Sequence, residues 1–244
     1  MITLDEIKNS LETKGKFWIV FIGSSLTSCE WVHPNWREIV EYVLKDEVTK
    51  RFNKEDWKIP SWGIRCFNYG YDGSTTKDLV QKLPDMLLTK PNLVLGVTGG
   101  NDSALGISVE ESMKNISQIL DTFTTSGAKV VWSTSIPSAL GFPRNERYAP
   151  YAQAVTETFH DTESIQILDM FHSYQQFPLE KFFTFRSEEI VVEGIKEGDP
   201  DPIHPNQLGN AYIAKLFLKE VFGIEFHPEK YIETTLAGEK YPKY

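Results

Sequence analysis

The chain has 244 residues, 41% of them hydrophobic and 24% charged, with a net charge of −9. Length favours one domain over two, and the apolar share suffices for a substantial core. The acidic balance excludes an electrostatic nucleic-acid footprint, and no apolar run reaches the ~20 residues that span a bilayer.

The N-terminus, Met1-Ile2-Thr3-Leu4-Asp5-Glu6, lacks the basic start and apolar core of a signal peptide. A soluble, cytoplasmic protein is the expectation. Cys29 and Cys66 make no disulfide framework and are expected as free thiols.

Leu4, Ile7 and Leu11 have helical spacing, and Gly15 is placed to cap a helix over Leu4–Lys14. Phe17-Trp18-Ile19-Val20-Phe21-Ile22 is a continuous apolar run that stops at Gly23-Ser24-Ser25. Such a run reads as a strand buried on both faces. A helix is expected from Pro34 to Val48, with Trp36, Ile39, Val40, Val43 and Leu44 on one side. The stretch Arg51–Ser61 is charged and irregular and includes Trp57.

A second strand over 64–69 ends in Gly70-Tyr71-Asp72-Gly73, followed by a helix from Thr75 to Leu88 that Pro84 should kink. A third strand over 92–98 ends in Gly99-Gly100-Asn101-Asp102. Ser108 and Glu111 read as a capping box opening a helix to Thr125. A fourth strand covers Lys129–Thr134, a helix Tyr148–Asp161, and a fifth strand Ile165–Asp169. Residues 170–200 break the rhythm, with a β-like run at Glu189-Ile190-Val191-Val192, and read as a lid or pocket wall. A last helix, Gln207–Val221, follows Asp201-Pro202-Ile203-His204-Pro205. The tail from 223 to 244 shows no strong periodicity.

Five strands alternating with helices predict a parallel sheet covered on both faces. Three glycine-rich turns, each following a strand, then fall on the same edge of that sheet, where α/β proteins bind ligands. Ser25 supplies a hydroxyl there. His204 is three residues from Asp201, close enough for the carboxylate to hold Nδ1–H while Nε2 faces a serine. The Ser25 and Gly73 amides and the Asn101 side chain offer donors for an oxyanion. Asp199, Asp201 and His204 find no second cluster to complete a metal site. The glycine spacing at Gly96, Gly99 and Gly100 does not fit a dinucleotide loop. Trp31, Trp36, Trp62, Tyr69 and Tyr71 flank the turns, where they either stack on a sugar or pack the core.

Gly23-Ser24-Ser25-Leu26 resembles the Gly-Asp-Ser-Leu block of the SGNH hydrolases, also called GDSL esterases and lipases, with Ser24 in place of the aspartate. Asn68–Gly73 is similar to their second block, Gly99-Gly100-Asn101-Asp102 to their Gly-x-Asn-Asp block, and Asp201–His204 to their Asp-x-x-His block. The resemblance spans about residues 17–222, and residues 1–244 are expected to form one such domain. It implies a flavodoxin-like three-layer α/β/α sandwich with a five-stranded parallel sheet. It assigns the nucleophile to Ser25, the base to His204 and the oxyanion donors to Ser25, Gly73 and Asn101, with Asp201 orienting the base. No metal or other cofactor is implied. Tyr71 and Asp72 adjoin Gly73 and are expected to touch substrate. A short acyl ester is expected as substrate, an O-acetyl group on a carbohydrate first. A lysophospholipase or thioesterase acting on longer chains is the alternative. A non-catalytic binding module on the same fold is a further one.

Overall fold

The computed structural model describes residues 2–52, 60–187 and 195–244. The five apolar runs form strands β1 (Phe17–Gly23), β2 (Ile64–Gly70), β3 (Leu93–Thr98), β4 (Lys129–Thr134) and β5 (Ile165–Leu168). They make one all-parallel sheet in the order β2-β1-β3-β4-β5. The chain leaves β1 for β2 on one side and then returns to β3 on the other. The β1/β3 boundary is therefore a topological switch point, where successive connections diverge and leave a crevice.

The helices are α1 (Leu4–Lys14), α2 (Trp36–Thr49), α3 (Thr76–Leu87), α4 (Gly100–Ala104), α5 (Val109–Thr125), α6 (Arg144–Thr158), α7 (Met170–Tyr174), α8 (Gln207–Phe222) and α9 (Pro228–Leu236). Alternate strand residues face opposite layers, as the period of two requires. Ile19, Phe21, Leu95 and Val131 pack with α1, α2 and α8, where Trp36 stacks on Phe217 at 4.5 Å. Val20, Ile22, Val94, Val130 and Trp132 pack with α3, α5 and the end of α6. The result is a three-layer α/β/α sandwich of flavodoxin-like strand order.

Helix starts follow side-chain chemistry. Thr3 with Glu6, Asn35 with Glu38, and Thr75 with Asp78 each make a reciprocal capping box. At Ser108 only half the expected box forms. The hydroxyl accepts from the Glu111 amide at 3.2 Å, while the Glu111 carboxylate lies 4.0 Å from Lys77. Helix α3 runs on through Pro84 to Leu87.

Three expectations need correction. Helix α6 starts at Arg144, four residues before Tyr148, and ends at Thr158. The tail is not irregular: α9 packs on α8, and the Tyr244 hydroxyl reaches Asp46 and Glu47 of α2. Of residues 170–200, expected as a lid or pocket wall, Tyr174, Leu179 and Phe182 are instead buried in the core. Their aromatic and apolar side chains are the buried face of α7 and the turn after it. Trp57 and the Glu189–Val192 run lie outside the described residues.

Candidate active site

At the carboxyl end of β1 the chain turns tightly, with the Thr27 and Ser28 amides both donating to the Ser24 carbonyl at 2.9 and 3.0 Å. The turn passes directly over the end of β2. A Cβ on Gly70 would lie 2.3 Å from the Ser28 nitrogen, so only glycine fits there. This crossing fixes where Ser25 stands.

His204 comes from the turn before α8. Its Nε2 lies 3.0 Å from Ser25 Oγ, and its Nδ1 lies 2.7 Å from Asp201 Oδ2. Asp201 Oδ1 also accepts the amides of Ile203 and His204 at 2.9 and 3.0 Å. A carboxylate on Nδ1 keeps the proton there and leaves the Nε2 lone pair for the hydroxyl. Burial alone would raise the Asp201 carboxyl. The hydrogen bond and charge of His204, with the two amides, outweigh it and hold the group below the ordinary carboxylate range. The turn is pinned from both sides: Asp201 N–H donates to the Phe185 carbonyl at 2.8 Å, and Ala139 N–H to the Pro202 carbonyl at 2.8 Å.

Gly73 sits at φ +71°, in the left-handed region, in the turn after β2, and lines the cleft beside Ser25. Among the described residues, the Ser25 and Gly73 amides donate to no other group. Asn101 lies in the first turn of α4, and its Nδ2 donates to the Ser74 carbonyl at 3.0 Å. That bond fixes the amide plane and leaves a second N–H for a ligand. Asp102 takes a structural place: its buried carboxylate accepts from Thr76 N–H at 2.8 Å and the Thr76 hydroxyl at 2.6 Å, joining α4 to the start of α3.

These groups surround a cleft of about 260 Å³ lined by Ser25, Trp31, Asp72, Gly73, Asn101, Ala104, Leu105, Arg144, Ile203 and His204. A smaller hollow of about 20 Å³ adjoins Ser25 on the side of Ser135, Ile136 and Tyr148. Asp72 lines the cleft but is engaged, accepting from Ser28 Oγ at 2.5 Å and Trp31 Nε1 at 3.1 Å. Tyr71 is not among the lining residues. Its ring packs with Tyr69 against the α3 side of the core, with Lys82 Nζ 4.0 Å above it. Of the flanking aromatics, Trp36 is fully buried and Trp62 is exposed away from the cleft.

Arg144 and the contact that Trp31 makes in the cleft escaped the sequence reading. Trp31 lies flat on the His204 ring, with centroids 3.9 Å apart and planes 4° from parallel. Nothing in its surroundings marks that contact. Arg144 carries a readable signal: Arg144, Tyr148, Ala152 and Val155 are the buried stripe of α6, spaced 4, 4 and 3 residues apart. A charged residue on an apolar stripe is rare in the absence of a partner.

The sequence profile of the GDSL-like lipase/acylhydrolase family matches residues 21–212. The chain belongs to that family. It is a carboxylic ester hydrolase. Its fold is similar to that of a lipase/acylhydrolase from Enterococcus faecalis, at 20% identity and a TM-score of 0.61, covering 85% of this chain and 96% of the other. It is similar also to Axe2, an acetylxylan esterase from Geobacillus stearothermophilus, at 18% identity and a TM-score of 0.58, covering 86% and 95%. TesA aligns at 19% identity with a TM-score of 0.54, covering 82% and 95%. Comparison with curated protein sequences finds no match. Among the described residues, no group of three or more His, Cys, Asp or Glu is placed to hold a metal, and no helix is long and apolar enough to cross a membrane.

Proposed function

We propose that this family member is a serine esterase that removes short acyl groups, with an O-acetyl group on a carbohydrate as the first candidate. The reading takes the chain as one hydrolase domain with a core of about residues 17–222. One contact carries it: Ser25 Oγ stands 3.0 Å from His204 Nε2, whose other nitrogen is held by Asp201. Ser25 attacks the ester carbonyl as His204 takes its proton. The carbonyl oxygen gathers negative charge and is met by the Ser25 and Gly73 amides and the free N–H of Asn101. His204 then protonates the leaving alcohol, and water releases the acyl group by the reverse roles.

The size of the cleft supports a small substrate. Its 260 Å³ falls below the ~300–1,000 Å³ of ordinary ligand pockets. The fold shared with an acetylxylan esterase agrees with a sugar ester. A fluorophosphonate probe tests the chemistry. Labelling of the wild type that disappears in Ser25→Ala is expected, and an unlabelled wild type would favour a non-catalytic binding module. A series of p-nitrophenyl esters from C2 to C12 tests the substrate. Highest kcat/KM at C2 is expected, and a preference for C8 or longer would replace the deacetylase reading with a lysophospholipase or thioesterase.

A further inference from the structure

Arg144 opens α6 and lines the cleft that holds Ser25 and His204. It is only 6% exposed, yet its Nε has no hydrogen-bond partner. Among the described residues its guanidinium meets no acid and no acceptor. An arginine stays charged at every physiological pH, and burying that charge without a partner is costly. Such a residue persists where something outside the fold completes it. The one acid that shares the cleft, Asp72, is turned onto Ser28 and Trp31 and does not pair with it.

The helix that carries Arg144 is itself fixed. Asn145 Oδ1 accepts from Ser138 N–H at 2.8 Å and from the Ser138 hydroxyl at 2.9 Å, which anchors the loop between β4 and α6. Arg144 therefore lines the cleft from an anchored helix start. Its planar fork of N–H donors matches the paired oxygens of a carboxylate or phosphate better than the single oxygens of sugar hydroxyls.

We infer that Arg144 selects substrates bearing an anionic group, a carboxylate or a phosphate, beside the ester that Ser25 cleaves. The inference deepens the esterase reading above and rests on it. The substrate is then not a neutral acetylated sugar but an acidic ester, for instance one carried on an acidic sugar unit. Hydrolysis leaves the anion on the product, so Arg144 also binds the product alcohol.

Three matched acetyl esters make the test: 4-acetoxybenzoate, its neutral methyl ester, and 4-acetoxyphenyl phosphate. Wild type is expected to favour one or both anionic esters over the neutral one by about tenfold or more in kcat/KM. Arg144→Gln is expected to erase that ratio, and Arg144→Lys, which keeps the charge but not the fork, to keep part of it. The carboxylate and phosphate arms tell which anion is read. A wild type without preference, or a ratio that stays within twofold in Arg144→Gln, overturns the inference while leaving the esterase reading intact. If none of the esters is turned over, the esterase reading fails. Calorimetric titration of the Ser25→Ala protein with 4-hydroxybenzoate and phenyl phosphate then still decides. Binding that disappears in Ser25→Ala/Arg144→Gln supports the anion site, and no binding refutes it. Thermal melts separate a structural role: a buried charge without a partner predicts that Arg144→Gln melts no lower than wild type. Loss of folding in Arg144→Gln, with Arg144→Lys matching the wild-type ratio, would make Arg144 a packing residue.

Discussion

The two edges of the sheet are finished in opposite ways. At the amino ends of the strands, Asn92 ties β1 and β4 together through three hydrogen bonds. Its side chain accepts Trp18 N–H at 2.9 Å, its own N–H donates to the Trp18 carbonyl at 2.8 Å, and its carbonyl accepts from Lys129 N–H at 3.0 Å. Val130 N–H finds the Ser164 carbonyl at 2.8 Å, and Lys129 Nζ reaches Glu6 at 3.0 Å. At the carboxyl ends, among the described residues, the amides of Ser25 and Gly73 and the guanidinium of Arg144 have no such partners. A satisfied hydrogen bond adds about 0.5–1.5 kcal/mol to folding, and an unsatisfied buried donor subtracts from it. One edge commits its donors to the fold. The other leaves them free, and on the proposed reading stability is exchanged there for the capacity to bind charge.

That contrast breaks most sharply at Ser25. Ser25→Ala is expected to lower kcat/KM for p-nitrophenyl acetate by about 10⁴–10⁶-fold. The melting temperature should move by no more than about 2 °C. A large drop in stability instead would mean that the carboxyl edge also serves the fold. Next in size is Asn101→Ala, for which steady-state kinetics should give a loss of about 10²–10³ in kcat. A change confined to KM would remove Asn101 from the oxyanion donors.

Asn92→Ala is the mirror experiment. Urea unfolding should show a loss of about 1–3 kcal/mol from the exposed Trp18 amide. The native enzyme should keep its kcat/KM within twofold, because Asn92 lies at the far end of the strands. The smallest effect is expected at acid pH. Asp201 has a folded pKa below its ordinary value of 3.8, so its stabilisation is complete above about 3.8. It is lost as pH falls through the lower folded value. Asp201→Asn should therefore narrow the difference between urea midpoints measured at about pH 5 and about pH 2. An unchanged difference would show that the His204 contact does not stabilise the carboxylate.

Much of the fold could be read ahead because its strands are unbroken apolar runs closed by glycine. β1 through β4 each end within a residue of the expected place, and α1 runs over Leu4–Lys14 as its spacing requires. The convergence of the candidate residues was legible for the same reason, since they sit in turns that follow those runs. What escaped was burial carried by residues that are not apolar. α9 buries Pro228, Tyr231 and Thr234, a stripe without leucine, isoleucine or valine. α6 begins at a buried arginine, so a search for apolar positions starts it at Tyr148. The same blindness hid Arg144 from the list of cleft residues. Trp31 escaped for another reason: its contact with His204 joins positions 173 residues apart and has no local signature.

The flat indole of Trp31 has a further consequence. An imidazole pressed 3.9 Å from a parallel ring cannot turn over without striking it. On the proposed reading, the nitrogen that faces Asp201 at the start of a cycle is then the one that faces it at the end, and protons need no re-sorting between turnovers. An imidazole that takes the Ser25 proton would become a cation against the electron-rich face of tryptophan, an attraction of about 0.5–2 kcal/mol. One aromatic wall would thus serve as both hinge-stop and counter-charge for the moving proton.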